Sequence, residues 1–289
     1  MAPQTTALTD ESTGTLTLGG ELEVRRLGFG AMQITGDGIW GPPEDHDESI
    51  ATLRRAVDLG INLIDTADSY GPDISEELIA EALHPYPEDL VIATKGGLTR
   101  TGPGQWPRDA RPEHLREACE GSLRRLRVDR IDLYQLHSPD PKVPIEESVG
   151  TLKELQEEGK VRLIGVSNVS TAELETAREI VSVVSVQNRF NLEDRASEDV
   201  LARCEELGLA FIPWYPLAAG ALADPGGPVS EIAEVHGATA PEIALAWLLA
   251  RSEVMLPIPG TSSVEHLEDN IAAAEIELSD DELAQLNAG

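Results

Sequence analysis

Short apolar runs alternate with longer amphipathic stretches along almost the whole chain. Eight runs have the length and β-branched content of strands, and they cover residues 26–31, 61–65, 90–95, 131–137, 161–167, 183–188, 209–214 and 254–258. A doubly wound sheet is the rival fold, but it usually needs fewer strands or a second domain. Eight strand–helix units in 289 residues therefore predict an α/β protein with a (β/α)8 TIM barrel.

The stretches between the strands have helical periodicity and recognisable ends. Glycine follows three of them, at Gly60, Gly159 and Gly208, as is usual after a helix. The predicted helices cover residues 47–59, 75–83, 111–126, 145–158, 170–180, 197–207 and 241–251. Two more, at 263–273 and 279–287, follow the last predicted strand as extra C-terminal helices.

An additional element precedes the barrel strands. Residues 15–24 alternate in polarity on both sides of Gly19-Gly20, which predicts a β-hairpin with a two-residue turn. We expect this hairpin to plug one mouth of the barrel. Residues 1–14 are expected to form a flexible tail. Because the sequence has no long-period repeat or low-complexity linker, it indicates one domain over residues 1–289.

The chain is strongly acidic, with 52 Asp and Glu residues against 22 Lys and Arg residues and a formal net charge of −30. Such a balance argues against a nucleic-acid partner, because the phosphates need a basic face. A solvated acidic surface is the ordinary explanation. The second hypothesis is a halophilic host, because high internal salt screens the self-repulsion of so many carboxylates.

The sequence offers no sign of a membrane or metal partner. The first residues lack the basic and apolar regions of a secretory signal, and no apolar stretch approaches the ~20 residues of a membrane-spanning helix. The six histidines and two cysteines show no metal-ligand spacing, so no metal site is predicted. We therefore expect a cytoplasmic protein.

Polar residues stand at the carboxyl ends of the predicted strands, where barrels of this kind place their active sites. Asp65 ends the second strand, Lys95 ends the third and His137 ends the fourth, while Tyr70 lies in the loop after the second. Each residue alone has an ordinary structural interpretation. However, a lysine and an aspartate at the ends of neighbouring apolar strands are costly unless they pair. Their coincidence on one rim predicts a single catalytic site.

Seven segments in order resemble the landmarks of a known family: DTADSYG, ATKGG, LHSPD, GVSN, VQNRFN, PWYPLAAG and PIPGTSSVEHLEDN. Over nearly its whole length the chain resembles the aldo-keto reductases, and it looks most similar to the bacterial branch that includes pyridoxal reductases. The resemblance implies a barrel enzyme that reduces an aldehyde or ketone with a nicotinamide cofactor. It also implies a monomer whose partner is a small-molecule carbonyl compound.

The resemblance implies a role for each of the four rim residues. Tyr70 would be the general acid that protonates the carbonyl oxygen, and His137 would donate a hydrogen bond to that oxygen. Lys95 would lower the pKa of Tyr70, whose ordinary value is about 10. Asp65 would keep Lys95 charged and oriented.

The cofactor site is also implied by the resemblance, since the sequence has no complete Gly-x-Gly-x-x-Gly fingerprint. The resemblance implies that Ser167, Asn168 and Gln187 hold the carboxamide and that Trp214 stacks on the nicotinamide ring. Pro216, Leu217 and Gly220 would contact the pyrophosphate, and Gly260, Ser262 and His266 would surround the 2′-phosphate. Asp269 and Asn270 would lie near the adenine.

The segment implied for the 2′-phosphate departs from a common family pattern. Many members carry lysine or arginine here, whereas residues 260–263 have neither, and His266 stands where arginine is frequent. Some NADP-binding relatives have a similar Gly-x-Ser-Ser segment. We therefore expect NADPH as the cofactor and NADH as the less favoured one. The alternative for His266 is an ordinary position on a helix face.

Three residues in the loops after the first and third strands are expected to wall the substrate pocket: Met32, Trp40 and Trp106. Aromatic residues make up only 4% of the chain, so two tryptophans in these loops favour an aromatic or apolar wall. The alternative is that both pin the loops to the barrel.

Two other functions compete with a carbonyl reductase. One is a regulatory module of the same fold that binds nicotinamide nucleotides without turnover, and the presence of all four rim residues argues against it. The other is a phosphate-handling barrel isomerase. That function predicts a glycine-rich loop after the seventh strand, where this chain has Trp-Tyr-Pro-Leu instead.

Overall fold

The computed structural model describes residues 6–217 and 227–288. Seven parallel strands follow one another in consecutive order around one sheet, which confirms the predicted fold class. After helix α1 (Asp10–Thr13) and the hairpin strands β1 (Thr15–Leu18) and β2 (Leu22–Arg25), the barrel strands are β3 (Phe29–Gly30), β4 (Leu63–Asp65), β5 (Val91–Gly96), β6 (Ile131–Leu136), β7 (Val161–Ser167), β8 (Val183–Arg189) and β9 (Ala210–Trp214).

The eighth predicted strand, 254–258, is not a regular strand, yet it closes the ring. The amide of Leu256 donates to the carbonyl oxygen of Phe211 in β9 at 2.8 Å. On the other side, the amide of Gly28 donates to the carbonyl oxygen of Pro257 at 2.9 Å, just before β3. Because Pro257 has no N–H, a continuous ladder of hydrogen bonds cannot form along this segment.

The predicted helices are present with ends that differ by at most one residue, and Thr239 and Glu242 form a capping box at the start of the helix that follows them. They are α2 (His46–Asp58), α3 (Ile74–Leu83), α4 (Pro112–Leu126), α5 (Ile145–Glu157), α6 (Thr171–Ile180), α7 (Glu198–Leu207), α9 (Ala240–Arg251), α10 (Val264–Ala272) and α11 (Asp280–Ala288). The sequence patterns missed α8 (Pro228–His236), although it begins with proline and ends at Gly237, a common pair of helix boundaries. In the part of the chain that the structure describes, no helix is long and apolar enough to cross a membrane.

Residues 8–14, which were expected to belong to a flexible tail, instead make defined contacts. Leu8 is buried, and its amide donates to the carbonyl oxygen of Leu59 at 2.8 Å. Helix α1 follows with a capping box formed by Thr9 and Ser12. The single apolar residue at position 8 fastens this segment to the barrel, and its short length hid that contact from periodicity arguments.

The hairpin closes the amino-terminal end of the barrel. Its turn spans three residues, Gly19 to Glu21, rather than the two expected, because Leu18 pairs with Leu22. Leu18 and Val24 are buried in one apolar cluster with side chains of the barrel strands. A Cβ atom added at Gly19 would come within 2.8 Å of the Leu163 side chain. The opposite, carboxyl end of the strands is left to carry the site.

Candidate active site

Four side chains predicted from the strand ends lie together at the carboxyl end of the barrel. Asp65 ends β4, Lys95 lies in β5, His137 follows β6 directly, and Tyr70 lies in the loop after β4. The Nζ atom of Lys95 donates to Asp65 Oδ1 at 2.5 Å, to the Thr66 carbonyl oxygen at 2.8 Å and to Tyr70 Oη at 3.4 Å. These three acceptors match the three donors of an ammonium group.

The Asp65–Lys95 pair is enclosed in protein, with side chains 2% and 0% exposed. The second oxygen of Asp65 accepts hydrogen bonds from the Nε2 atoms of Gln135 (3.1 Å) and Gln187 (2.8 Å). A buried ion pair is tolerated only when its remaining polar atoms are satisfied in this way. Burial opposes the charged form of Lys95, but Asp65 and Tyr70 outweigh it and raise the pKa of the ammonium.

The pKa of Tyr70 lies above its ordinary value. Burial raises the pKa of the phenol, and the nearby Lys95 ammonium offsets this only in part. Lys95 therefore lowers the pKa of Tyr70 as expected, but burial, whose depth cannot be read from the sequence, raises it by more. Tyr70 stays protonated near neutral pH, as a proton donor must be.

The imidazole of His137 is neutral. Burial, followed by the positive charge of Lys95, lowers its pKa well below the ordinary value. Its Nδ1 atom lies 3.4 Å from the hydroxyl oxygen of Ser69, and its ring stands edge-on to Tyr70 with centroids 5.8 Å apart. A neutral imidazole carries one N–H donor, which can polarise an oxygen without bringing in another charge.

A cavity of about 480 Å³ opens beside these residues. It brings together most of the predicted site, lined by Met32, Asp65, Tyr70, Trp106, His137, Ser167, Asn168, Gln187, Trp214, Pro216, Leu217 and Gly260. Gln33, in the loop after the first strand that was expected to wall the pocket, also lines it. Lining residues that the sequence did not single out are Gly30, Ile39, Leu98, Tyr215 and Ile258. Their signal in the sequence is position alone, since all but Ile39 lie close to the end of a predicted strand.

Other predicted residues lie away from this cavity. Trp40 is outside its lining and 36% exposed. Ser262, His266 and Asp269 are exposed around the start of α10, whereas Asn270 is buried in that helix. Gly220 lies outside the described residues.

The predicted carboxamide ligands are already engaged with neighbours. The Nδ2 atom of Asn168 donates to the His137 carbonyl oxygen at 2.9 Å and to Ser167 Oγ at 3.0 Å. Its Oδ1 atom accepts a hydrogen bond from Trp214 Nε1 at 3.0 Å. Gln187 donates to Asp65, so this residue links the cavity wall to the buried ion pair. Sequence reasoning missed Gln135, whose signal was one amide inside the apolar strand β6.

The start of α10 differs from the buried cluster in its chemistry. A Cβ atom at Gly260 would lie 2.5 Å from the carbonyl oxygen of Gly30, so no side chain fits at position 260 without a backbone shift. Ser263 caps the helix, and Glu48 Oε1 accepts a hydrogen bond from the amide of Val264 at 3.1 Å. A carboxylate there is favourable for a helix amino terminus, but it adds negative charge beside the segment predicted to hold a phosphate.

Comparisons with known proteins find similar chains. A family model described as the aldo/keto reductase family matches residues 26–288. The chain is 52% identical over 268 residues to an uncharacterised oxidoreductase of Schizosaccharomyces pombe, covering 93% of this chain and 87% of that protein. It is 41% identical over 283 residues to the pyridoxine 4-dehydrogenase of Escherichia coli, covering 96% and 98%.

A solved structure has the same architecture. The aldo-keto reductase of Klebsiella pneumoniae in complex with NADPH superposes with a TM-score of 0.81 at 31% identity, and the match covers 95% of this chain and 94% of that one.

Proposed function

The chain belongs to the aldo/keto reductase family, and from this premise we propose that it reduces an aldehyde or ketone with hydride from NADPH, using Tyr70 as general acid. The observation that carries the proposal is the contact of Lys95 with both Asp65 and Tyr70 at the wall of the cavity. A structural ion pair needs no phenol beside it. A proton donor that must release its proton does need a nearby cation.

His137, Tyr70 and Lys95 have separate proposed roles at the carbonyl oxygen of the substrate. His137 donates a hydrogen bond to this oxygen and Tyr70 transfers its proton to it as negative charge develops there. The Lys95 ammonium, 3.4 Å from Tyr70 Oη, stabilises the phenolate that remains. Asp65 holds the ammonium in place through its own contact. Trp106 forms the cavity wall beside the phenol, and its ring stands edge-on to Tyr70 with centroids 6.2 Å apart.

The cavity fits a nicotinamide cofactor. When bound, NADPH supplies the hydride. Ser167, Asn168 and Gln187 present polar side chains on the cavity wall, as an amide ligand requires, and the ring of Trp214 offers a stacking surface. Gly30 and Gly260 leave bare backbone on the same wall, where a ligand can approach closely.

NADPH is proposed over NADH with two supports. The Klebsiella pneumoniae structure is a complex with NADPH, and Ser262 and His266 are exposed at the start of α10, where a helix amino terminus favours a phosphate. The similarity to a pyridoxine 4-dehydrogenase makes pyridoxal a candidate among the small carbonyl compounds proposed as substrates.

The decisive experiment follows the absorbance of NADPH with a panel of aldehydes that includes pyridoxal, benzaldehyde and propanal. We expect oxidation of the cofactor with at least one of them. A protein that binds NADPH tightly, measured by quenching of tryptophan fluorescence, but oxidises it with no aldehyde or ketone would instead support the regulatory binding module.

A further inference from the structure

The side chain of Arg100, in the loop between β5 and α4, has an unusual set of partners. A guanidinium group has five N–H donors, and here five hydrogen bonds all end on backbone carbonyl oxygens. The acceptors are Gly38 (2.9 Å), Ile39 (2.6 Å), Ser69 (3.0 Å), Gly102 (3.3 Å) and Gln105 (2.9 Å).

These carbonyl groups belong to three different loops at the carboxyl end of the barrel. Gly38 and Ile39 lie in the loop after β3, Ser69 lies in the loop after β4, and the other two lie in Arg100's own loop after β5. Loop backbones at a surface have few regular partners of their own, so one rigid, planar donor group that reaches all three can fix their relative positions.

The same guanidinium stacks on a tryptophan of the cavity wall. The Cζ atom of Arg100 lies 3.7 Å from the ring centroid of Trp106, and it lies 5.7 Å from that of Trp40. Cation–π contacts of this kind are attractive and hold the ring plane in one orientation. Trp106 in turn stands edge-on to Tyr70, so the guanidinium fixes a flat wall beside the proposed proton donor.

A second path connects Arg100 to the proposed chemistry. The Ser69 carbonyl oxygen that it binds belongs to the residue directly before Tyr70. The hydroxyl of Ser69 lies 3.4 Å from Nδ1 of His137. One side chain therefore constrains the pocket wall and the loop that carries Tyr70.

We propose that Arg100 is a positioning residue that fixes Trp106 as a flat wall and thereby favours planar aromatic aldehydes over short aliphatic ones. The selectivity role rests on the proposed carbonyl reduction. The clasp, by which we mean the five hydrogen bonds that join Arg100 to the three loops, rests on geometry alone. An aliphatic aldehyde of two or three carbons gains little from a flat wall, whereas an aromatic ring buries a whole face against it.

The test compares Arg100→Met and Arg100→Lys with Arg108→Met as a matched control. Arg108 lies in the same loop, but its side chain is exposed and donates a hydrogen bond to the Pro139 carbonyl oxygen at 3.3 Å rather than joining three loops. For both Arg100 variants we expect kcat/KM for benzaldehyde to fall about tenfold, mainly through KM. The value for propanal should fall less than about twofold, because the contact of Lys95 with the Tyr70 hydroxyl remains in these variants. The Kd for NADPH should not change. Lysine should fail to rescue, because it retains the charge but not the planar set of donors.

A second measurement separates this inference from the proposed function. Hydrogen exchange of the backbone amides should speed up in all three loops of Arg100→Met, and in none of them in Arg108→Met. If the amide exchange rates of the three loops are unchanged in Arg100→Met, Arg100 does not hold these loops together, whether or not the protein is a reductase. The selectivity role is overturned if kcat/KM falls equally for benzaldehyde and propanal, or if Arg100→Lys keeps the parent ratio of the two kcat/KM values. If the parent protein oxidises NADPH with no aldehyde while exchange still changes, the proposed function and the selectivity role both fail and the clasp remains.

Discussion

The buried cluster around Lys95 and the exposed start of α10 differ in how their charged groups are paired and exposed to water. In the cluster, Asp65 and Lys95 are removed from water and their polar atoms are paired within the protein. Around His266 the side chains face solvent, and Glu48 contributes a negative charge. Rigid strands thus fix the groups proposed for proton transfer, whereas the groups proposed for the cofactor phosphate are few and accessible. Substitutions in the first region should be severe, and those in the second mild.

The largest expected effect is that of Tyr70→Phe. Removing one hydroxyl removes the proposed proton donor, so kcat should fall by about 10²- to 10⁴-fold. The Kd for NADPH should stay within about twofold of the parent value, because the proposed cofactor contacts are untouched. Steady-state assays and fluorescence titration measure the two quantities. A variant that keeps its kcat would show that the donor lies elsewhere.

Lys95→Met tests the cost of an unpaired charge in the same cluster. It leaves the Asp65 carboxylate buried without its cation, so the free energy of unfolding should fall by about 3–5 kcal/mol. The double variant Asp65→Asn with Lys95→Met removes both charges and should recover part of this loss. Urea unfolding of both proteins is the measurement. Equal stability of the single and double variants would mean that the pairing contributes little.

His137 should make stability depend on pH. Its folded pKa lies well below the ordinary value because of burial and the charge of Lys95, whereas an unfolded histidine titrates at about 6.5. Below about pH 6.5 the unfolded chain binds a proton that the folded chain does not, so stability falls with falling pH, by at most about 1.4 kcal/mol per unit. The loss between pH 7.5 and 5.5 in urea unfolding should be smaller in His137→Gln than in the parent protein. Identical losses in the two would assign the dependence to other groups.

The smallest expected effect belongs to the exposed region. His266→Arg adds a cation near the proposed phosphate site, so NADPH should bind about three- to tenfold more tightly while the Kd for NADH is unchanged. The gain should shrink at high salt, as screening predicts. His236→Arg, on the distant helix α8, is the matched control. A tighter Kd for both cofactors, or for the control as well, would place the 2′-phosphate elsewhere.

Much of the fold could be predicted because its signals are local. Helix ends follow from caps and glycines near them in sequence, and the strand ends placed Asp65, Lys95 and His137 on one rim. The eighth strand was predicted too regular, since the apolar run of 254–258 outweighed the proline within it, Pro257. The hairpin turn was one residue longer than its Gly-Gly pair indicated.

What the sequence did not reveal depends on distant contacts or on burial. The bonds of Arg100 to Ser69 and Ile39 join residues that no motif relates. The contact of Glu48 with Val264 spans most of the chain. The direction of the Tyr70 pKa depends on how completely the phenol is buried, which only packing determines.

The close approach of Gly30 and Gly260 constrains how this protein can change over evolution. A lysine at position 260 would first need the backbone of β3 to move, because its Cβ atom would collide with the Gly30 carbonyl oxygen. A Cβ atom at Gly30 would in turn lie 2.5 Å from the carbonyl oxygen of Ile258, so a side chain at either position requires a backbone shift that the other substitution does not supply. A lineage under selection for a stronger preference between the two nicotinamide cofactors would acquire its cation at the exposed positions 262 or 266 first.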